Sequence, residues 1–276
     1  MIRVAVFGAG GRMGATVCAA VAGEDDLDLV AAVDPVAAGQ MLGDIVAAAG
    51  AGSGALGRAA ALEVAADGHG VVGDHVDVAV DFTLAEAAKE NLRWCAANGV
   101  HAVCGTTGLS GEDLGRLRES FVLESDANCV LASNFSIGAC LMMRCAELCA
   151  PFLDGVEVIE LHHDHKRDAP SGTSLETVRR LESARKGVPF ARDPTERETL
   201  PGTRGGVSSG GVHLHSVRLP GLVAHQEVIF GAPGETLSIR HDSTERVSFM
   251  PGVLLAVRKV ARTPGLTIGL EPLLGL

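Results

Sequence analysis

The stretch that most constrains the fold is Gly8-Ala9-Gly10-Gly11-Arg12-Met13-Gly14, which joins the apolar run Ile2 to Gly8 to an Ala-rich, helix-like segment, Ala15 to Ala22. A strand, a glycine turn and a helix follow one another with no spacer. Glycines at such a junction let the backbone turn tightly and come close to a pyrophosphate, whose charge then sits on the helix N-terminus. A second apolar run, Leu29 to Val33, ends in Asp34, twenty residues after Gly14. That is where a dinucleotide site places the acid that binds the adenosine ribose. A glycine string alone would also suit a purely structural turn; strand, helix and acid together point to a nucleotide.

The pattern continues with Val76 to Phe82, Val100 to Cys104 and Val130 to Ser133 as strands, and Ala85 to Ala97 and Ser110 to Ser120 as helices. This alternation implies right-handed βαβ units and a Rossmann-like, doubly wound parallel sheet. Composition agrees, because 47% of the chain is hydrophobic but only 3% aromatic, with no Tyr and a single Trp94. The core is then built from Ala, Val, Leu and Ile, as suits parallel strands covered by helices. Asp81-Phe82-Thr83, Gly105-Thr106-Thr107-Gly108 and Ser133-Asn134-Phe135 stand at successive carboxyl ends of these strands, where open α/β sheets bind ligands. Each alone is ordinary turn chemistry; three in succession favour a shared crevice. The Ala/Gly-dominated segment after Asp34, including Ala47 to Gly57, reads as a loop.

Beyond Phe135 the grammar changes. After a helix at Ile137 to Ala150, β-like runs at Val156 to Leu161, Val212 to Leu219, Ala224 to Phe230 and Thr236 to Arg240 are interrupted by one clear helix, Thr173 to Arg185. That predicts a second α+β domain with a mostly antiparallel or mixed sheet. Pro189 to Gly211 reads as a long loop able to cover a site, and Met250 to Arg262 as a helix starting near Pro251. The expected division is a dinucleotide-binding domain over residues 1–131, completed by 242–276, and a substrate-binding domain over 132–241.

The second domain holds Glu160 to Ser174, ELHHDHKRDAPSGTS. His162 and His163 carry groups whose reference pKa of about 6.5 lets them exchange protons near neutrality, and Lys166 can hold a carboxylate or donate a proton. Ser171, Gly172 and Thr173 would expose backbone N–H groups at a helix start, which favours an anion. The segment reads as an acid/base site for a small anionic molecule. With a formal charge of −11 the global field repels such a ligand, so a local basic site must draw it, and nonspecific nucleic-acid binding is disfavoured. A metal reading of His162, His163, Asp164 and His165 is disfavoured because strand neighbours point to opposite faces and Lys166 adds positive charge; no metal is expected. Plain core packing would leave this many polar groups buried without partners.

Seven cysteines without a CxxC pair suggest reduced thiols, with Cys140, Cys145 and Cys149 packing on the helix after Ile137. No apolar run reaches the ~20 residues that cross a bilayer, and Met1 leads straight into the first strand. Neither a membrane partner nor a signal peptide is expected, and the cytoplasm is the expected location.

With GAGGRMG at Gly8 to Gly14, DFT at Asp81 to Thr83, GTTG at Gly105 to Gly108, NFSIG at Asn134 to Gly138 and ELHHDHKRDAPSGTS at Glu160 to Ser174, the chain resembles the 4-hydroxy-tetrahydrodipicolinate reductase (dihydrodipicolinate reductase) family end to end. The resemblance implies reduction of a cyclic dicarboxylate by NADH or NADPH in lysine and diaminopimelate synthesis, and a homotetramer joined through the second domains. The competing readings are a Rossmann dehydrogenase for another amino-acid precursor and a non-catalytic NAD(H)-sensing protein, which would not need the acid/base segment.

At matching positions the resemblance makes His162 a proton donor or acceptor and Lys166 a proton donor, with His163 and Lys166 touching substrate and Gly172 and Thr173 binding its carboxylate. It assigns Gly8, Ala9, Gly10, Gly11, Arg12, Met13, Asp34, Phe82, Thr83, Gly105, Thr106, Thr107, Ala132, Ser133, Asn134 and Phe135 to the cofactor. One departure bears on cofactor choice: Pro35 follows Asp34, where the family resemblance implies Arg in many relatives, and Leu84 follows Thr83, where it implies another basic residue in some. Asp34 repels a 2′-phosphate and neither position supplies a compensating cation. NADH is therefore favoured, with NADPH as the alternative.

Overall fold

The computed structural model describes residues 1–50, 56–71 and 75–276. Of the Ala/Gly-rich segment 47–57, residues 51–55 lie outside the described residues. The chain divides into two compact units, one of residues 1–136 with 249–276 and the other of residues 137–248.

In the first unit β1 (Ile2–Phe7), α1 (Arg12–Ala22), β2 (Leu27–Val33), α2 (Leu42–Ala48), β3 (Val78–Asp81), α3 (Ala85–Ala97), β4 (His101–Cys104), α4 (Gly111–Val122) and β5 (Cys129–Leu131) alternate along the chain. The chain re-enters this unit with α7 (Met250–Lys259), β11 (Leu266–Ile268) and α8 (Glu271–Leu274). The six strands lie in the order β11-β5-β4-β3-β1-β2, all paired in parallel. Chain order reverses at β1, so β1 and β3 flank the switch point of a doubly wound sheet. Strands β3 and β5 are buried along their whole length, as expected where helices cover both faces. Phe7 and Phe121 anchor the same core, and each contributes about 1.5–3 kcal/mol by burial. Ser110 and Asp113 close a capping box that fixes the start of α4.

Two features depart from the sequence reading. The segment expected to be a loop after Asp34 contains α2 and a short 3-10 turn at Gly57–Ala61. Leu42, Ile45 and Val46 form a small buried stripe at helical spacing, a signal that the Ala/Gly composition hides. The C-terminal segment also supplies β11, which pairs with β5 through only three residues.

The second unit comprises α5 (Ile137–Cys149), β6 (Gly155–His162), α6 (Gly172–Ala184), β7 (Gly206–Val207), β8 (His213–Arg218), β9 (Ala224–Ala232) and β10 (Glu235–Ser243). Its sheet runs β10-β9-β6-β8-β7 and is mixed, because β6 pairs with β8 in parallel and with β9 antiparallel. Strand β6 alternates strictly, burying Val156, Val158 and Glu160. Register sets these beside Phe230, Val228 and Gln226 of β9, and Ala146, Val178 and Leu181 of the helices join the same core. One residue of this buried row is a glutamate, and the site is built around it.

Candidate active site

The first unit presents a cradle made of backbone. Gly8 turns with φ of +82°, a conformation that favours glycine, and its N–H donates to Val33 O at 2.8 Å. A Cβ on Gly14 would stand 2.0 Å from Gly8 O, so α1 packs against the turn only through glycine. Helix α1 begins at Gly11 with no side-chain cap and no acidic residue in its first turn. Its positive end is therefore open to a ligand's phosphate. Asp34 braces the turn: Oδ2 accepts from Gly10 N–H at 3.0 Å, and Oδ1 from Val36 and Ala37 N–H at 2.9 and 3.3 Å.

Next to it, the ends of β3 and β4 are tied by Asp81. This buried carboxylate accepts from Thr83 N–H at 3.0 Å, Thr83 Oγ1 at 2.8 Å, Thr106 Oγ1 at 2.9 Å and Asn91 Nδ2 at 2.7 Å. Four donors satisfy a charge that would otherwise be costly to bury. Phe82 fills the space above Gly105, where a Cβ would fall 2.1 Å from its ring, and it stacks at a tilt on Phe135 at 5.8 Å. Ala132 N–H donates to Cys104 O at 3.0 Å, and Asn134 Oδ1 accepts from Ser136 N–H at 2.8 Å. Asp81, Phe82, Thr83, Gly105, Thr106, Ala132 and Phe135 thus meet at the carboxyl ends of β3, β4 and β5, and the cradle fits a dinucleotide.

The second unit presents ionised side chains. His162 closes β6, and its Nδ1 makes a short contact with Glu160 Oε2. Glu160 is fully buried and receives a bidentate bond from Arg218, with Nη1 to Oε2 at 2.8 Å and Nη2 to Oε1 at 2.7 Å. Lys166 Nζ donates to both oxygens of Asp168 at 2.9 and 2.8 Å. Burial pushes His162 below its ordinary pKa, and Lys166 and Arg218 push the same way, against the opposing pull of the Glu160 carboxylate. For Glu160 burial pushes upward, but bonds from Arg218, Ser216 and His162 together outweigh it and hold the carboxyl below its usual range. Lys166 likewise lowers Asp168.

Helix α6 starts directly after this segment, with Ser171 Oγ accepting from Ser174 N–H at 3.2 Å. Ser174 in turn donates to Gln226 Oε1 at 2.7 Å, and Gln226 Nε2 donates to Thr177 Oγ1 at 2.7 Å. This buried network fixes the start of α6 on β9. No acidic residue sits in the first turn of α6, and the space around Gly172 is open. His163 Nδ1 is buried with no hydrogen-bond partner among the described residues, while His165 and Asp164 are exposed.

His162, His163, Lys166, Gly172 and Thr173 lie in one segment of the second unit, and the sequence reading gives Glu160 and Arg218 no role. Glu160 was legible, since residues two apart on a strand share a face. Arg218 lies 58 residues from Glu160, and only the pairing of β6 with β8 brings it there.

Residues 2–135 match the family model for the dihydrodipicolinate reductase N-terminus, and residues 138–274 match that for its C-terminus. The 4-hydroxy-tetrahydrodipicolinate reductase of Mycolicibacterium vanbaalenii is 46% identical over 275 residues, covering 100% of both chains. That of Cutibacterium acnes is 48% identical over 277 residues, again covering 100% of both. A dipicolinate-bound dihydrodipicolinate reductase from Paenisporosarcina sp. TG-14 superposes with a TM-score of 0.81 at 36% identity, covering 99% of each chain. A scyllo-inositol dehydrogenase from Lactobacillus casei, solved with bound NAD(H) and scyllo-inositol, has a TM-score of 0.61 at 12% identity and shares the fold alone. No helix among the described residues is long and apolar enough to cross a membrane. The chain belongs to the dihydrodipicolinate reductase family, the NAD(P)H-dependent oxidoreductases with 4-hydroxy-tetrahydrodipicolinate reductase activity in lysine and diaminopimelate biosynthesis.

Proposed function

We propose that the chain reduces 4-hydroxy-tetrahydrodipicolinate with NADH preferred over NADPH, working in the cytoplasm as a homotetramer joined through its second units. The observation that carries this reading is the segment of residues 160–174, where His162 and Lys166 precede the open start of α6. A sensor of NAD(H) has no use for it.

The reduced nicotinamide, when bound, supplies the hydride. The residues proposed to hold it are Gly8, Ala9, Gly10, Gly11, Arg12 and Met13 at the start of α1, with Asp34, Phe82, Thr83, Gly105, Thr106, Thr107, Ala132, Ser133, Asn134 and Phe135 around the strand ends. The uncapped start of α1, packed against the glycine turn through Gly14, supports this fit. Asp34 accepts the ribose hydroxyls with the lone pairs its backbone bonds leave over, and it repels a 2′-phosphate. Neither Pro35 nor the exposed Leu84 offsets that repulsion.

On the substrate side, Gly172 and Thr173 bind a carboxylate at the α6 start, and His163 contacts the same dianion. Lys166 is a local cation in a chain of formal charge −11, and it must leave Asp168 to meet substrate. His162 or Lys166 then protonates the enamine left by hydride addition. Steady-state oxidation of each reduced nucleotide with 4-hydroxy-tetrahydrodipicolinate tests the proposal. Turnover with both and kcat/KM for NADH at least equal to that for NADPH is expected. A marked NADPH preference would overturn the cofactor reading, and a chain inert with both would overturn the activity.

A further inference from the structure

We propose that Glu160 and Arg218 are positioning residues for His162. Glu160 holds Nδ1 and so leaves Nε2 as the atom that exchanges the proton, while Arg218 balances the carboxylate so that the imidazolium can still release it. The inference rests on the reading of His162 as the proton-transferring residue.

Three observations carry it. The first is register: Glu160 and His162 lie two residues apart on β6, and β8 sets Ser216 and Arg218 opposite them. All four therefore stand on one sheet face. The second is the sharing of one oxygen. Glu160 Oε2 is contacted by both His162 Nδ1 and Arg218 Nη1, so ring orientation and charge balance depend on the same atom. A carboxylate this buried would be costly alone, and a guanidinium fork is the partner that satisfies both oxygens. The third is the anchoring of Arg218 itself, which donates to Val217 O at 2.7 Å and to Asp168 O at 2.8 Å. Asp168 holds Lys166, so one arginine ties the histidine's partner to the loop bearing the second proton donor.

The charged groups facing His162 are Glu160 on its own strand, Arg218 from β8, and Lys166, itself paired with Asp168, from the loop before α6. Strand β9 places Ala224 opposite His162, and β10 continues that row with Ser243; the next row, Leu161, His225 and Asp242, faces the other side of the sheet, and His241 of β10 lies two rows away, with Glu160 and Gln226. In the transfer step the Nε2–H bond of the imidazolium breaks, and a C–H bond forms from the enamine electron pair. The ring is left neutral with its proton on Nδ1, bonded to Glu160, which stays ionised throughout. Solvent returns the proton to Nε2.

The test is Glu160→Gln, which keeps the shape and can still accept from Nδ1–H but lacks the charge. A neutral partner makes His162 less basic, so the fall of kcat on the alkaline side should move to lower pH by about one unit, giving about tenfold lower kcat near pH ~8. At low pH kcat should approach wild type, and the KM for substrate and the affinity for NADH should stay within about twofold. Arg218→Gln should move the same limb to higher pH, and Arg218→Lys should restore it. If Arg218→Gln does not fold, NMR titration of the His162 ring decides, with the neutral ring protonated on Nδ1 in wild type and its titration moved to lower pH in Glu160→Gln. An unmoved profile and titration in Glu160→Gln, or a loss of kcat equal at every pH, would overturn the inference. His162→Asn separates the two failures: wild-type turnover there would defeat the reading of His162 itself. Lost turnover there beside an unmoved Glu160→Gln profile would defeat only the positioning role.

Discussion

The turn at residues 8–14 and the segment at residues 160–174 each lead into a helix N-terminus that carries no acidic residue in its first turn, yet they are made of different material. The first is backbone: glycines leave no room for side chains, and two aspartates, Asp34 and Asp81, brace the loops around it. The second is a web of charges, in which Glu160, His162 and Arg218 meet and Lys166 pairs with Asp168. A site that only binds needs shape and N–H donors. A site that moves a proton needs groups whose charge can change, held by partners whose charge does not. The two regions should therefore fail in different ways.

The largest effect is expected in the charged region. His162→Ala and Lys166→Ala should each lower kcat by about 10²–10⁴, the usual cost of losing a general acid. Steady-state rates measure this, and a variant at wild-type rate would remove that residue from the chemistry. The glycines should show the next contrast. Gly14→Ala places a Cβ 2.0 Å from Gly8 O, whereas a Cβ on Gly172 meets nothing within 4 Å. Calorimetric titration should find NADH binding lost or severely weakened in Gly14→Ala, and circular dichroism and melting should find Gly172→Ala folded as wild type. Normal NADH affinity in Gly14→Ala would break the comparison.

A smaller effect is expected at the ribose. Asp34→Ser with Pro35→Arg removes one repulsion and adds one cation, and a tenfold shift of the kcat/KM ratio toward NADPH needs only about 1.4 kcal/mol. Asp34 also accepts from Gly10, Val36 and Ala37, so the serine variant weakens the turn as well. Asp34→Asn, which keeps an acceptor there, separates the two contributions: an unchanged ratio in both variants would place cofactor choice elsewhere.

The backbone region was legible in the sequence because its physics is local. Glycines between an apolar run and a helix can do few things, and Asp34 sits at a fixed interval behind them. Asp81, Thr83 and Thr106 were visible as a polar group at strand ends, although the four bonds that converge on Asp81 were not. The charged region was legible only as a composition. Histidines and a lysine before PSGT announce acid/base chemistry, but what tunes them arrives through register, from Arg218 on a different strand. The helix α2 was hidden for the opposite reason, since its three buried apolar residues lie in a stretch whose Ala and Gly say loop.

The smallest effect concerns acid stability. Burial lowers the pKa of His162 and His241 in the second unit and of His101 in the first. The unfolded chain takes up these protons more readily, so stability falls as pH drops below the unfolded value of about 6.5 toward the folded ones. Asp26 and Asp77, lowered chiefly by bonds from Arg258 and Arg3, hold their contribution until pH falls below about 4 and through their folded values. With two such histidines against one, the second unit should lose amide protection first between pH ~7 and ~5.5. Hydrogen exchange would show this, and earlier loosening of the first unit would count against it.

The division of labour itself is tested most directly by titrating NADH calorimetrically into a variant carrying both His162→Ala and Lys166→Ala. The account predicts an affinity within about twofold of wild type, beside turnover reduced to background. Loss of NADH binding along with turnover would contradict it, because the charged segment would then be holding the cofactor that the glycine cradle is proposed to bind.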